Sequence, residues 1–230
     1  VIKLLRSDRS GQVPRGRLLG EARALALLDH PNIVKLLHAA TLPDGTPYLV
    51  LAPLSGMTLR QRLLKGGGRL PLHSALGVLL QVVEALAYAH SQGVLHRDIK
   101  PENLIVHKDR LAPGGLRVTL IDFGLAKLVS PQGPQASGWD PGDTCLETAD
   151  GAVLGTPPYR APEQGAAPVP TPALDAFAVG VLAWEVLTGR LLATVPTPAQ
   201  AARLAALHPA VAPLLVKLVG SLLEIGRASC

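Results

Sequence analysis

The chain has 230 residues, 48% of them hydrophobic, with Lys plus Arg at 22 against Asp plus Glu at 17 and a formal charge of +5. That apolar content excludes a disordered tail and suffices for one domain, or for one domain of two lobes. Basic residues scattered without a run argue against a nucleic-acid partner, and two cysteines, Cys145 and Cys230, are too few for a disulfide framework and point to a reducing, cytoplasmic compartment.

Val1 to Leu5 reads as the middle of a short strand, with no signal peptide before it. Apolar residues at helical spacing predict an amphipathic helix over Leu18 to Leu28. Strands are predicted at Ile33 to Leu37 and Tyr48 to Leu51, and Pro43-Asp44-Gly45-Thr46 between them has the turn chemistry of a hairpin. These elements make a small β-rich lobe over residues 1–54. From there to residue 223 long helical patterns dominate, at Ser74 to Gln92 and Asp175 to Thr188, with short strands at Leu104 to His107 and Val118 to Asp122 between them. A tract rich in Gly, Pro, Ser and Asp from Ser130 to Gly151 is expected to be a mobile surface loop. Ala210 to Leu223 is the most apolar late stretch. It carries Lys217 and is shorter than the roughly 20 residues a membrane span needs, so it reads as a buried helix. Residues 224–230 leave the preceding periodicity, are similar to the translation of a sequencing-library adapter, and read as a non-native tail. No internal repeat and no zinc-like spacing of Cys and His is present.

Two segments carry chemistry. His96-Arg97-Asp98-Ile99-Lys100-Pro101-Glu102-Asn103 is followed by Asp122-Phe123-Gly124 at the end of an apolar run. Together they supply a base, a cation and two oxygen ligands for a metal, which is the equipment for moving a phosphoryl group. Asp98 is the candidate base for a substrate hydroxyl. Lys100 offers a positive charge to the transferring phosphate. Asn103 and Asp122 offer hard oxygen donors of the kind Mg²⁺ prefers. Lys3 lies in an apolar strand where a bare ammonium is costly, and Glu21 is its natural anionic partner.

Read in order, Val1-Ile2-Lys3, Glu21, His30-Pro31-Asn32-Ile33-Val34, the octet at His96, Asp122-Phe123-Gly124, the run Gly155-Thr156-Pro157-Pro158-Tyr159-Arg160-Ala161-Pro162-Glu163 and Asp175-Ala176-Phe177-Ala178-Val179-Gly180 resemble the eukaryotic-type serine/threonine protein kinases, especially bacterial members. The resemblance covers nearly all of residues 1–223. It implies an α+β, two-lobed kinase fold with an incomplete β-rich small lobe and a larger, mainly α lobe. It also implies ATP and Mg²⁺ as cofactors and proteins bearing Ser or Thr as substrates. No membrane segment is read in this stretch, and a tether elsewhere in a longer protein is left open, as is the oligomeric state.

By the same resemblance, Lys3 holds the α and β phosphates and pairs with Glu21, while Asn103 and Asp122 hold the metal ions. Leu51 resembles the gatekeeper before the adenine site, the carbonyl of Ala52 and the N–H of Leu54 the hinge groups that meet adenine, and Ile105 the apolar floor beneath the ring. Lys100 and Glu102 belong to the same nucleotide-binding set. His96, Phe123 and Leu25 resemble members of an apolar spine joining the lobes, and Asp175 the helix carboxylate that anchors the catalytic-loop backbone. Arg97 is placed to receive a phosphate on the long segment 122–163, where Ser130, Ser137, Thr144 and Thr148 are candidate acceptors. Thr156 is expected to pack against Asp98 and Lys100. The Gly-rich strand pair that precedes the Lys of such kinases, and the late Arg that pairs with the counterpart of Glu163, are missing from the chain as given. The stretch as given is therefore expected to be weak or inactive by itself even where the protein it comes from is an active kinase, and a pseudokinase or scaffold stands as the alternative to an active enzyme.

Overall fold

The computed structural model describes residues 1–4, 15–123, 127–128, 157–161, 171–192, 204, 206–209 and 212–225. The expectations for Gly124, the Ser130 to Gly151 tract, Thr156, Glu163 and residues 226–230 lie outside the described residues.

The small lobe is a three-stranded antiparallel sheet with one helix against it. Strand β1 (Ile2–Leu4) pairs with β3 (Pro47–Leu51), which also pairs with β2 (Leu36–Thr41), giving the order β1-β3-β2. β2 and β3 form the predicted hairpin. Gly45 at φ 85 takes the left-handed turn position, and the Asp44 side chain accepts the Thr46 N–H at 2.8 Å. Ile33 lies outside β2, in an isolated parallel bridge to Leu120, so the strand starts later than its apolar run suggests. Helix α1 (Arg15–Ala26) buries Leu18, Glu21, Ala24 and Leu25, and Leu28 just beyond its end is buried too, the predicted amphipathic face with one carboxylate in it.

The large lobe is held by two long helices. α3 (Leu72–Ser91) buries Ala75, Val78, Val82, Ala85 and Ala89, and α4 (Pro172–Thr188) is buried along nearly its whole length, including Phe177 and Trp184. Each large apolar side chain so buried is worth about 1.5–3 kcal/mol of transfer free energy. α3 alone among the described helices is long and apolar enough to cross a membrane, and here its apolar face is a core face. Pro172 opens α4 and Gly189 at φ 73 ends it, its N–H bonded to the Glu185 carbonyl at 2.7 Å.

A second sheet, in the order β4-β6-β7, is made by β4 (Met57–Thr58), β6 (Leu104–Lys108) and β7 (Leu116–Leu120), and β5 (Val94–Leu95) pairs with β8 (Lys127–Leu128). The turn between β6 and β7 lies so close to α3 that a Cβ on Gly77 would fall 2.2 Å from the Pro113 carbonyl oxygen. α2 (Leu59–Lys65) has no counterpart in the sequence reading. Its signal was the capping box Thr58-Leu59-Arg60-Gln61: the Thr58 hydroxyl accepts the Gln61 N–H at 3.1 Å, and the Gln61 side chain accepts the Thr58 N–H at 3.0 Å.

The last helix, α5 (Ala212–Ile225), packs on α4 but is not the buried helix expected. Val219 is buried, whereas Leu214 and Leu218 are 72% and 52% exposed. Its apolar stretch covers more of the circumference than one packing partner buries. It also runs through Glu224 and Ile225, past the periodicity break read in the sequence.

Candidate active site

The segment from β5 to β6 is shaped by backbone anchoring rather than by regular structure. Arg97 sits at φ 66 and Asp122 at φ 64, left-handed conformations that non-glycine residues adopt only when their surroundings compel it. For Arg97 the compelling group is Asp175 of α4, which is buried. Its two oxygens accept the His96 N–H at 3.0 Å and the Arg97 N–H at 2.8 Å, and it also meets His90 Nε2 at 2.8 Å. Burial works to raise the Asp175 pKa. The His90 hydrogen bond and the charges and N–H groups around it prevail, leaving it below the usual carboxylate value.

His96 is fully buried and its ring lies 4.5 Å from that of Phe123. Its Nδ1 accepts the Asp98 N–H at 3.3 Å and its Nε2 faces the Ile121 carbonyl at 3.2 Å, which assigns the neutral tautomer with the proton on Nε2. Burial lowers its pKa, against the pull of Asp175, Asp98 and Asp122. His96, Phe123 and Leu25 are all buried, the packed role expected of them.

Asp98 stands at the centre of a small polar cluster. Lys100 Nζ donates to Asp98 Oδ2 at 2.7 Å, and the Asn103 amide donates to the Asp98 carbonyl at 2.8 Å and to Oδ2 at 2.9 Å. Asn103 is held further by its own backbone, its N–H on the Lys100 carbonyl and its carbonyl on the Ile121 N–H. With the amide nitrogen committed to Asp98, the Asn103 side-chain oxygen is the group left to face elsewhere.

Across from this cluster Lys3 donates to both oxygens of Glu21 at 2.7 Å and to Asp122 Oδ1 at 2.8 Å. Glu21 is 2% exposed, and Lys3 supplies the partner that a buried carboxylate requires. Asp98, Lys100, Asn103, Asp122, Lys3 and Glu21 thus fall into two hydrogen-bonded clusters joined through residues 121–122. The residues expected around adenine lie on the adjoining edge. Leu51 is buried, Ile105 is half-buried in β6, and Leu54 is 37% exposed. The Ala52 N–H donates to the Lys35 carbonyl at 2.9 Å.

A family model described as a protein kinase domain matches residues 1–208. The chain belongs to the protein kinase family. Among its relatives are serine/threonine-protein kinase Pkn1 of Myxococcus xanthus, 38% identical over 76% of this chain and 23% of that protein, and PrkC of Bacillus subtilis, 35% identical over 83% and 26%. PkaB of Streptomyces coelicolor is 38% identical over 82% of this chain and 42% of its own length. The chain therefore spans less than half the length of these curated relatives. Its two-lobed α+β fold is the kinase fold, and ATP with a divalent metal is the chemistry of this family.

Three features of the kinase site escaped the sequence reading. Arg60 on α2 donates through Nε to Glu102 at 2.7 Å and through Nη2 to Tyr159 at 2.9 Å, and it also bonds Glu185, which accepts the Tyr159 hydroxyl as well. Burial works against the Arg60 cation, but Glu102 and Glu185 outweigh it and raise its pKa, while burial and then Glu185 raise that of Tyr159. Glu102, assigned from sequence to the nucleotide set, is thus engaged on the side of α2. Second, His90 joins Asp175. Third, buried Asn32 and Gln81 are bonded to each other at 2.9 Å and to the backbone of Val118 and Leu116, tying the His30-Pro31-Asn32 loop to α3 and β7. A glutamine on the buried face of an apolar helix was the available signal.

Proposed function

We propose that this chain is the catalytic domain of a protein serine/threonine kinase that transfers the γ-phosphoryl group of ATP to Ser or Thr hydroxyls of proteins. The observation that carries the reading is the Asp98 carboxylate held by Lys100 at 2.7 Å and by Asn103 at 2.9 Å on a loop fixed from below by Asp175. A carboxylate so oriented serves as the base that positions a substrate hydroxyl and accepts its proton, while Lys100 beside it neutralises charge on the transferring phosphoryl group. Lys3, fixed by Glu21, is placed to hold the α and β phosphates. Leu51, Ala52, Leu54 and Ile105 form the adenine slot.

The donor set suits Mg²⁺. Asn103 and Asp122 offer two oxygens, and no cluster of three or more His, Cys, Asp or Glu able to hold a metal occurs among the described residues. A hard cation that takes one or two protein ligands and completes its shell with water and phosphate oxygens matches that arrangement. Asn103 and Asp122 would hold such an ion, which would supply charge screening for the phosphates, while Lys3 would hold phosphate oxygens. Arg97 is the residue we assign to reading a phosphate on the segment 122–163. Its Nε is buried without a hydrogen-bond partner among the described residues, and burial, with Arg160 adding to it against Asp175, lowers its pKa. ATP supply places this domain in the cytoplasm.

The test is phosphate incorporation from γ-labelled ATP into a protein substrate and into the chain itself, with and without Mg²⁺. An enzyme gives Mg-dependent labelling of Ser or Thr that Asp98→Asn abolishes. A scaffold would bind nucleotide or partners indifferently to that change, and that result overturns the reading.

A further inference from the structure

A cleft of about 400 Å³ opens between α2, the start of α3 and the β6–β7 turn, and its lining includes Arg62, Lys108 and Arg110. None of its lining residues belongs to the candidate active site. Among the described residues none of these three cations forms an ion pair. The one acid in the lining, Asp109, is already committed: it accepts the Leu111 N–H at 2.9 Å and pairs with Arg117 at 2.9 Å, and these groups hold its carboxyl below the usual value. The concavity therefore presents three positive charges with no ion-pair partner among the described residues, and a cleft with such an excess of one sign concentrates its field on whatever enters.

The turn that carries Arg110, directly after Lys108 at the end of β6, is rigidly built. Asp109 N–H bonds the Gly115 carbonyl, Gly115 N–H bonds the Ala112 carbonyl, and the Ser74 hydroxyl clamps the Gly114 carbonyl at 2.9 Å. Gly114 at φ 71 lies so near α3 that a Cβ on it would come within 2.6 Å of the His73 carbonyl oxygen. A preformed site of this kind loses little freedom on binding. Beside Arg110, Leu111 is 92% exposed at the tip of the turn, an apolar contact next to the charges.

We propose that this cleft docks an acidic segment of a protein substrate, with two or more Asp or Glu side chains on Arg62, Lys108 and Arg110 and an apolar residue on Leu111. The proposal deepens the kinase reading by assigning a substrate-recruiting surface apart from the phosphoryl-transfer residues. Arginine clusters recognise acidic motifs through charge-assisted hydrogen bonds, and such contacts add affinity without touching the reacting hydroxyl.

Binding is measured without ATP, by fluorescence anisotropy of a labelled peptide of Asp, Glu and Leu beside its Asn, Gln and Leu twin, using the full chain. The acidic peptide should bind about tenfold or more tightly than its twin, and the gap should close as salt rises. Arg62→Glu with Arg110→Glu should abolish the preference with an unchanged thermal melt, and Arg62→Lys with Arg110→Lys should largely keep it. If the glutamate pair misfolds, Arg62→Gln with Lys108→Gln gives the same readout. Equal affinity for the two peptides overturns the proposal, as does a preference that survives charge reversal. So does binding of phosphatidylserine vesicles, lost on charge reversal, without peptide binding. Asp98→Asn should leave peptide binding intact, so loss of transfer chemistry and loss of docking are separable results.

Discussion

Asp175, deep in α4, accepts the Arg97 backbone N–H at 2.8 Å, and that one bond holds Arg97 at φ 66 beside the Asp98 carboxylate. A left-handed non-glycine residue stores about 1–3 kcal/mol, and the buried carboxylate supplies the opposing energy through two N–H groups. Asp175→Asn removes the charge and turns an amide toward donors that need an acceptor. Stability should fall by about 2–4 kcal/mol in urea denaturation. Phosphoryl transfer should fall through kcat with KM for ATP little changed, because the anchored loop carries Asp98 rather than the nucleotide slot.

Lys3 bridges Glu21 and Asp122, so one ammonium joins the small lobe's helix to the metal-ligand candidate. Glu21→Gln would leave Lys3 free to settle on Asp122 alone. The expected result is a fall of about a hundredfold in kcat/KM for ATP. A control variant, Asp29→Asn, touches only the exposed pair with Lys35 and should change nothing. An unchanged kcat/KM in Glu21→Gln would remove the ion pair from the catalytic reading.

How far the sequence discloses this arrangement depends on where each signal lies. Lys3, Glu21, Asp98, Asn103 and Asp122 were legible because their chemistry sits in short ordered segments, and Asp175 because its helix carries its own motif. The sequence has no local pattern that joins Arg60 to Glu185 or Asn32 to Gln81. Those pairs are made by tertiary packing of elements far apart in the chain, and although Gln81 on the apolar face of α3 signals a buried polar group, nothing local names its partner. Elements were found wherever periodicity was long, as in α1, α3 and α4. α2 was too short for periodicity to reveal, and α5 was judged by apolarity although its exposure depends on what packs beside it.

His96 is buried neutral, with a pKa lowered from the ordinary 6.5. A histidine whose folded pKa is depressed binds fewer protons folded than unfolded below that value. Its contribution to stability is therefore full above about pH 6.5 and is lost as pH falls through the window beneath it. Protonating Nδ1 would also break the Asp98 N–H bond. Melting temperature should be flat from pH 8 to about 6.5 and decline below, and His96→Phe should flatten the decline between pH 6.5 and 5. A variant with the same slope as the parent would assign the acid sensitivity to other groups. The lowered pKa of Asp175 adds a separate loss only at pH values below the usual carboxylate value.

Arg60, Glu185 and Tyr159 bring α2, α4 and the segment at 157–159 together around one guanidinium, with Glu102 completing it from the loop that follows Asp98. Glu185 is 4% exposed and depends on Arg60 for its countercharge. Arg60→Ala strands that carboxylate and should destabilise the fold by about 2–4 kcal/mol, below the range for a fully enclosed pair because 27% of the Arg60 side chain meets solvent. Glu185→Gln alone leaves Arg60 with Glu102 and a partial exit to water, and should lose less. Arg60→Met combined with Glu185→Leu should be less destabilised than the sum of Arg60→Met and Glu185→Leu each made alone, since neither group is then left charged and alone. Denaturant midpoints for the four proteins give the coupling energy, and strict additivity would mean that the two side chains stabilise the domain independently of each other.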